Sequence, residues 1–232
     1  MSRREWMSYT FVRALIRAAM LLLTRTYVRG CENVPPSGAA IVVSNHIASI
    51  DPGILVGVLP RPIALMSKIE NYRGPLKLFM PMVGAFTVRR GAVDRRALTT
   101  AEHVLRQGRL LCLFPEGTRS HNGALGAAHG GAALLALKSG ALIVPVALTG
   151  TQRVFRRRFP WLGYPRVTVT IGAPFSVERH DRPARREDRD QVTTLMMMHI
   201  AALLPPELRG DYIAQAIGDH RGSRIRDSHS SA

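Results

Sequence analysis

Short apolar runs alternate with segments of helical pattern from Gly30 onward, and this alternation limits the fold more than any other feature of the sequence. Strands are predicted at residues 39–44, 62–66, 85–88, 110–114, 142–147 and 166–171. Helices are predicted at residues 52–59, 76–80, 94–106, 130–138 and 192–204. Such an alternation is typical of a sheet covered by helices. We therefore predict an α/β fold, a single domain with a central mixed sheet flanked by helices.

The composition indicates one folded domain with anionic partners. With 232 residues, of which 46% are hydrophobic, the chain can bury one substantial core. Its 32 lysines and arginines against 16 acidic residues leave a formal charge of +16, which attracts phospholipid headgroups, nucleotide phosphates or nucleic acid. Most of the basic residues are arginine, whose planar fork favours phosphate. The two cysteines form no CxxC pair and no histidines stand at helical metal spacing, so neither a disulfide framework nor a metal site is predicted.

The N-terminal segment, residues 1–29, is predicted to form an amphipathic helix that lies on a membrane surface. Residues 11–28 are apolar on balance, but Arg13, Arg17 and Arg25 interrupt them before the ~18 uninterrupted residues that a spanning helix needs. The alternative is a helix packed on the domain with its arginines outward. Two segments follow, a main folded domain at residues 30–217 and a polar tail, predicted to be disordered, at residues 218–232.

The first candidate site has a histidine after a predicted strand and an aspartate at a helix start. His46 follows the run at residues 39–44, and Asp51, which precedes a proline, begins the next helix. On one continuous helix, residues five apart diverge by roughly 140°, so a strand, a turn and a helix start are needed to bring the pair together. Asp51 could then cap its helix and also accept the imidazole N–H, which leaves the other ring nitrogen free to take a proton.

Three further segments end predicted strands with residues suited to ligand binding. Residues 114–120 follow the run at residues 110–114 and contain an acid, a flexible glycine and an arginine. Residues 84–91 end in two arginines and a glycine, and residues 144–147 form an apolar run interrupted by a proline. Because ligands bind at strand ends in α/β sheets, these segments are candidate parts of one site.

The four segments, in this order, resemble the four sequence blocks of the glycerolipid acyltransferase family, typified by 1-acylglycerol-3-phosphate acyltransferase. The resemblance covers about residues 30–150. The first block, Asn-His-x4-Asp, is matched by Asn45, His46 and Asp51, and the other three by Gly84 with Arg90, residues 114–120, and residues 144–146. The resemblance implies an O-acyltransferase that moves a fatty acyl group from an acyl thioester to a hydroxyl of a lysophospholipid. The expected acceptor is 1-acylglycerol 3-phosphate, with phosphatidate as product.

The resemblance also implies roles for the site residues. His46 would be the general base, and Asp51 would orient its ring. The arginines of the other blocks would hold the acceptor phosphate, the glutamate would bind the acceptor or hold an arginine, and the glycine N–H would stabilise the oxyanion. The predicted substrate-binding residues are Arg90, Glu116, Gly117, Thr118 and Arg119.

The expected partners follow from the same resemblance and from the charge. No cofactor is expected, because acyl-CoA or an acyl carrier protein thioester is a co-substrate, and acyl carrier protein is therefore a candidate partner. The basic chain and its N-terminal helix predict binding to an anionic membrane surface. We expect a cytoplasmic location, peripheral on the inner face of the cell membrane, and no nucleic-acid partner.

Alternatives in other classes remain open at this point. Acyl transfer to a different lyso-lipid or to glycerol 3-phosphate would use the same base. A hydrolase would need a GxSxG elbow, which the sequence lacks, and the His-His-x3-Asp-Gly acyltransferases differ because no histidine precedes His46. A basic nucleic-acid-binding module is the non-enzymatic alternative, because arginines at residues 153–158 are interleaved with aromatic residues.

Overall fold

Helices and strands alternate along the chain in the computed structural model, which describes residues 2–68, 82, 84–88, 94–120, 122–154, 164–180 and 182–213. The helices of these residues are α1 (Arg3–Leu23), α2 (Asp51–Val58), α3 (Arg95–Arg106), α4 (Gly131–Ser139) and α5 (Arg186–Leu203). The strands are β1 (Arg25–Arg29), β2 (Ala40–Ser44), β3 (Ile63–Lys68), β4 (Phe86–Val88), β5 (Leu110–Leu113), β6 (Leu142–Thr149) and β7 (Arg166–Ile171). The predicted α/β class is confirmed.

The strands of the described residues form one sheet in the order β1-β7-β6-β2-β5-β3-β4. All neighbouring pairs are parallel except β6 and β7, which are antiparallel, so the predicted mixed sheet is confirmed. Strand β2 lies between β5 and β6, with Ala40 opposite both Leu110 and Leu142. The C-terminal ends of these three parallel strands therefore meet at one edge of the sheet.

The core has two layers, one on each face of the sheet. Successive side chains of β2 alternate between them: Ile41 and Val43 pack in one cluster, and Ala40 and Val42 pack in the other. Helices α3, α4 and α5 cover the first face, and α1 and α2 cover the second. Residues 40–43 of β2 form an unbroken apolar run, as is typical of a strand buried on both faces.

Several predicted elements have different boundaries in the structure. Strand β7 spans the predicted residues 166–171, whereas β6 runs past the predicted end to Thr149. Pro145 does not end β6: it pairs with Val43 of β2, and its carbonyl oxygen accepts the Gly172 N–H at 2.8 Å. Helix α5 begins at Arg186, six residues before the predicted start at Val192. The predicted helix at residues 76–80 and the tail at residues 218–232 lie outside the described residues.

The sequence indicated a single helix over residues 1–29, but the structure divides this segment into a helix and a strand. Helix α1 ends at Leu23, and residues 25–29 form the edge strand β1, which pairs in parallel with β7. The Arg166 guanidinium also stacks on the Tyr27 ring of this strand, with its Cζ atom 4.5 Å from the ring centroid. The partner of β1 lies about 140 residues later in the sequence, so no local pattern indicates the pairing.

Helix α1 packs on α2 through its arginines and leaves an apolar face outward. Arg17 Nε donates to the Gly57 carbonyl at 2.8 Å, and Arg13 Nη2 donates to the Leu59 carbonyl. Carbonyls at a helix C-terminus lack partners within the helix, so they are natural acceptors for these cations. Helix α1 is therefore packed on the domain, as the alternative has it, but the guanidinium groups of Arg13 and Arg17 bind carbonyls of α2. By length and composition, α1 would be able to cross a membrane.

Candidate active site

The candidate active site lies where β2, β5 and β6 end side by side. Residues 45–51 follow β2, residues 114–120 follow β5, and residues 150–153 follow β6. Because β2 is the central strand of the three, the first loop lies between the other two. The strand order thus brings the first and third predicted segments together beside the loop after β6, while the fourth predicted segment, residues 144–147, lies within β6.

His46 and Asp51 form the predicted pair. The imidazole Nδ1 lies 2.8 Å from Asp51 Oδ2, and the carboxylate of Asp51 is fully buried. An ionised carboxylate only accepts hydrogen bonds, so Nδ1 carries the proton and Nε2 has a free lone pair. The His46 side chain is 18% exposed, so solvent reaches the ring. Phe114 stacks on the ring with a centroid distance of 4.3 Å, which fixes its plane.

Asp51 does not cap its helix, contrary to the prediction. It occupies the first turn of α2, and Ile50 is at the cap position without a side-chain hydrogen bond. The carboxylate turns back over the preceding loop instead, where Oδ2 accepts the N–H groups of Ile47 and Ala48, each at 2.7 Å. Oδ1 accepts the hydroxyl of Thr151 at 2.6 Å. The acceptor positions of this carboxylate are therefore used to shape the loop and hold His46.

The loop after β5 binds the backbone of His46 from both sides. The His46 N–H donates to Glu116 Oε1 at 3.0 Å, and the His46 carbonyl accepts the Ser120 N–H at 2.7 Å. Glu116 Oε2 accepts the Gly126 N–H at 2.9 Å, and its side chain is only 4% exposed. Burial raises the pKa of Glu116, and its backbone hydrogen bonds oppose that rise. The position of the imidazole is thus fixed by two loops.

Asn45 attaches the same loop to β6. Its side-chain amide donates to the Leu148 carbonyl at 2.9 Å, and its carbonyl oxygen accepts the Leu148 N–H at 2.7 Å. The last paired residue of β2 is Ser44, opposite Val146. The Asn45 side chain therefore continues the hydrogen-bond ladder after the backbone of β2 has turned away. Replacing it would leave two buried backbone groups unpaired.

Arg119 lies at the exposed side of the site. Its Nη1 donates a hydrogen bond to the Ser49 hydroxyl at 2.6 Å. This bond holds the guanidinium beside the loop that carries His46. Both side chains are exposed, so the remaining donors of Arg119 face solvent. Thr118 is exposed next to it. The structure thus brings the predicted arginine and the predicted base to the same edge of the sheet.

The predicted oxyanion role of Gly117 is contradicted by its hydrogen bond. Its N–H donates to the Phe114 carbonyl at 2.9 Å within the turn and is not free to bind substrate. Gly117 has a φ of +62°, and a Cβ atom there would lie 2.8 Å from Cδ2 of His129. Glycine is needed for the turn geometry and for the close approach of that ring.

The remaining predicted residues have mixed outcomes. Glu116 contacts backbone N–H groups of two loops, and no described arginine pairs with its carboxylate. Arg90 and most of the arginine-rich aromatic segment at residues 153–161 lie outside the described residues. Within the described ranges, no three His, Cys, Asp or Glu side chains are grouped so as to hold a metal ion.

Comparison with protein-family models shows which family the chain belongs to. The model described as Acyltransferase matches residues 25–149, which is more than half of the chain. The chain belongs to the acyltransferase family. The match extends from β1 through the end of β6, so it includes the loops after β2 and β5. The third loop of the candidate site, residues 150–153, follows directly after the matched region.

Relatives within the acyltransferase family have similar sequences. The 1-acyl-sn-glycerol-3-phosphate acyltransferase of Borreliella burgdorferi is 31% identical over 153 residues, which are 64% of this chain and 61% of that protein. The 1-acyl-sn-glycerol-3-phosphate acyltransferase alpha of Mus musculus is 32% identical over 171 residues, which are 71% of this chain and 59% of the mouse protein. The chain therefore spans about six tenths of the length of these two relatives.

A solved member of the acyltransferase family has the same fold. The crystal structure of the 1-acyl-sn-glycerophosphate (LPA) acyltransferase PlsC from Thermotoga maritima matches with a TM-score of 0.63 and 23% identity. The match covers 88% of this chain and 84% of that chain. At this identity the likeness supports the α/β architecture.

Sequence reasoning missed two polar residues of this acyltransferase-family site. Thr151 bonds Asp51, although it lies 100 residues further along the chain. Ser120 was within the third block, but its role comes from its backbone N–H, which no side-chain pattern indicates. The signal for Thr151 was the small polar stretch of residues 149–151 directly after an apolar strand.

Proposed function

We propose that this chain transfers a fatty acyl group from an acyl thioester to a hydroxyl of a lysophospholipid, with His46 as the general base. The proposed acceptor is 1-acylglycerol 3-phosphate and the product is phosphatidate. Support comes from family membership and from relatives named 1-acyl-sn-glycerol-3-phosphate acyltransferase. The observation that carries the proposal is the 2.8 Å contact of His46 Nδ1 with buried Asp51.

The proposed reaction uses the free lone pair of His46 Nε2. As the acceptor hydroxyl oxygen attacks the thioester carbonyl carbon, Nε2 takes the hydroxyl proton, and the imidazolium is stabilised by Asp51. The tetrahedral intermediate collapses, the C–S bond breaks, and the thiolate leaves. The imidazolium then gives its proton to the thiolate, which restores the neutral histidine. No acyl-enzyme forms in this scheme.

Arg119 is proposed to hold the acceptor phosphate. Its guanidinium lies beside Ser49 in the loop that carries His46, and its free donors face solvent. A charge-assisted fork on the phosphate would fix the distance from phosphate to hydroxyl and bring that hydroxyl to the base. Arg90 and Thr118 remain proposed partners of the same acceptor, by resemblance to the family blocks.

The donor and the location are part of the proposal. The donor is acyl-CoA or an acyl carrier protein thioester, since both present the same reacting carbonyl. The chain is proposed to work on the inner face of the cell membrane, held there by the outward apolar face of α1 and by its positive charge. Burying the acyl chain would yield ~0.8 kcal/mol per methylene.

The test is thiol release by the purified full chain with each donor and with three acceptors: 1-acylglycerol 3-phosphate, glycerol 3-phosphate and a lysophosphatidylcholine. We expect the greatest kcat/KM with 1-acylglycerol 3-phosphate. We expect His46→Ala to lower kcat by about 10²- to 10⁴-fold, because a positioned base contributes that much. The unfolding temperature of the variant is measured in parallel.

His103→Ala is the matched control, because His103 is an exposed residue of α3 outside the site. It should retain the activity of the wild-type chain. Acyl transfer by His46→Ala at near wild-type rates would rule out the proposed base. An absence of transfer by the wild-type chain to all three acceptors would rule out the proposed activity.

A further inference from the structure

We infer that Thr151 is a positioning residue for the His46–Asp51 pair, acting through the second carboxylate oxygen. This inference rests on the proposed function. The Thr151 hydroxyl donates to Asp51 Oδ1 at 2.6 Å, and Thr151 is only 1% exposed. None of the four family blocks quoted for the sequence includes this residue.

The two oxygens of Asp51 have different tasks. Oδ2 accepts three N–H groups, from the His46 ring and from the backbone of Ile47 and Ala48. Among the described residues, Thr151 alone donates to Oδ1. The three donors to Oδ2 fix the position of that oxygen but leave the plane of the carboxylate able to rotate. A fourth donor, to Oδ1, fixes this plane. The direction in which Oδ2 meets the imidazole therefore depends on Thr151.

The backbone around Thr151 is built to hold its hydroxyl in place. Gly150 has a φ of +85°, and a Cβ atom there would collide with the Arg166 carbonyl of β7. The chain then forms a single 3-10 turn, Thr151–Arg153, closed by the Arg153 N–H donating to the Gly150 carbonyl at 3.1 Å. Asn45 binds β6 three residues before Thr151. The Thr151 hydroxyl thus lies just after the end of β6, and Asn45 binds this end of β6 to the loop that carries His46 and Asp51.

The hydrogen-bond pattern favours the same role. The Thr151 hydroxyl and the His46 ring donate to different oxygens of one carboxylate, so the two contacts together fix its orientation. Glu116 is the other carboxyl group that contacts His46, and it binds the backbone N–H of that residue. Thr151 thus acts on the carboxylate that meets the imidazole ring, whereas Glu116 acts on the backbone.

The test compares three variants of the full chain. Thr151→Val keeps the shape of the side chain and removes the hydroxyl, whereas Thr151→Ser keeps the hydroxyl and removes the methyl group. The matched control is Thr193→Val, because Thr193 is also buried and its hydroxyl donates to the Arg189 carbonyl of α5 at 2.7 Å, outside the site. Each variant is assayed for kcat and for both KM values.

We expect Thr151→Val to lower kcat roughly 10²-fold with both KM values unchanged, because a misplaced base costs about that much. Thr151→Ser should restore at least most of kcat, and Thr193→Val should not change it. A second readout does not depend on turnover: the proton NMR signal of His46 Nδ1–H, assigned by its absence in His46→Ala. This signal should broaden or vanish in Thr151→Val and persist in Thr151→Ser.

The inference requires both effects. Wild-type kcat in Thr151→Val, or an unchanged Nδ1–H signal in that variant, would overturn it. So would a failure of Thr151→Ser to recover kcat. If the wild-type chain transfers no acyl group to any acceptor, the proposed function fails, and the Nδ1–H signal alone then decides whether Thr151 positions the pair.

Discussion

Asp51 organises the candidate site through the hydrogen bonds of its buried carboxylate. Its carboxylate accepts four hydrogen bonds, two from backbone N–H groups, one from the His46 ring and one from Thr151. Burial of an ionised carboxylate is costly unless its acceptor positions are filled. The loop therefore adopts a conformation that supplies these donors, and the imidazole is one of them.

Glu116 has a comparable role for the backbone of His46. It accepts the His46 and Gly126 N–H groups and is buried. A carboxyl group that is only 4% exposed is poorly placed to hold the acceptor. The geometry therefore favours a structural contribution of Glu116 to the position of the base, while Arg119 is the exposed residue available for an anionic group.

A residue-level prediction concerns Arg119. Arg119→Ala should raise the acceptor KM about tenfold or more, because a hydrogen bond to a charged group contributes about 1.5–3 kcal/mol. The donor KM should change much less, because the proposed contact is with the acceptor phosphate. Both KM values are measured with 1-acylglycerol 3-phosphate as acceptor and acyl-CoA as donor.

The control for this prediction is Arg106→Ala, which removes an exposed arginine of α3 that pairs with Glu102. It should leave both KM values unaltered. An equal rise of donor and acceptor KM in Arg119→Ala would argue against a phosphate contact.

At the scale of elements, helix ends determine several local structures. Helix α5 starts at Arg186, earlier than the apolar pattern indicates, because Asp188 accepts the Arg185 N–H at 2.8 Å and a two-pronged contact from Arg182. The C-terminal carbonyls of α2 accept the arginines of α1. Polar contacts at helix ends thus decide where these helices begin and how they pack.

The start of α5 gives a pH-dependent prediction. Hydrogen bonds from Arg182 and from the Arg185 N–H lower the pKa of Asp188 from 3.8 to about 2. A carboxyl group with a lowered pKa in the folded state stabilises the fold above its unfolded pKa, and this contribution is lost as the pH falls through the folded pKa. Asp188→Asn should therefore lower the denaturation midpoint at pH 6, and the difference from wild type should shrink toward about pH 2.

Urea denaturation between these pH values measures the effect, and added salt should reduce it because Arg182 is half-exposed. Asp190→Asn is the matched control, since it removes the same charge from an exposed position of α5 that pairs with Arg186. A stability difference of Asp188→Asn that does not vary with pH would contradict the assigned cause.

At the scale of the whole molecule, the part of the chain that the structure describes has an apolar surface on α1 outside the core. Helix α1 buries Tyr9 and Val12 against α2 and keeps several large apolar side chains exposed. The exposed ones are Trp6, Met7, Phe11, Leu15, Leu21, Leu22 and Leu23. Arg13 and Arg17 of this helix bind carbonyls of α2, and Arg3 and Arg4 are exposed at its N-terminal end. A surface of this size and composition suits contact with lipid.

A whole-molecule prediction tests this face. Phe11→Ser removes one exposed aromatic ring. If this ring enters the lipid when the chain binds, its burial contributes about 1.5–3 kcal/mol, so the variant should partition into vesicles roughly tenfold or more weakly. Co-sedimentation with vesicles of mixed phosphatidylcholine and phosphatidylglycerol measures it. The folded core should be unaffected, because Phe11 is exposed.

Tyr164→Ser is the control, because Tyr164 is another exposed aromatic residue but lies outside α1. Its partition should match that of the wild-type chain. If Phe11→Ser binds the vesicles as tightly as wild type does, α1 does not contact the lipid through this face.

The sequence alone determined the α/β class, most strands and helices, and the pairing of His46 with Asp51. Periodicity and turn residues are local, so they predict elements such as β7 from nearby residues. The Asn-His-x4-Asp spacing requires a strand, a turn and a helix start, which is also local. The roles of Arg90 and Thr118 stay predictions, and Arg90 lies outside the described residues.

Only the tertiary structure decided the remaining features, because they depend on contacts between distant parts of the chain. Strand β1 pairs with β7, Thr151 reaches Asp51, and Glu116 binds the backbone of His46. The Gly117 N–H is occupied within a turn, and Arg13 and Arg17 of α1 donate to carbonyls at the end of α2. In each case the outcome follows from which buried donors and acceptors must be satisfied, and that is known only once the strands are placed side by side.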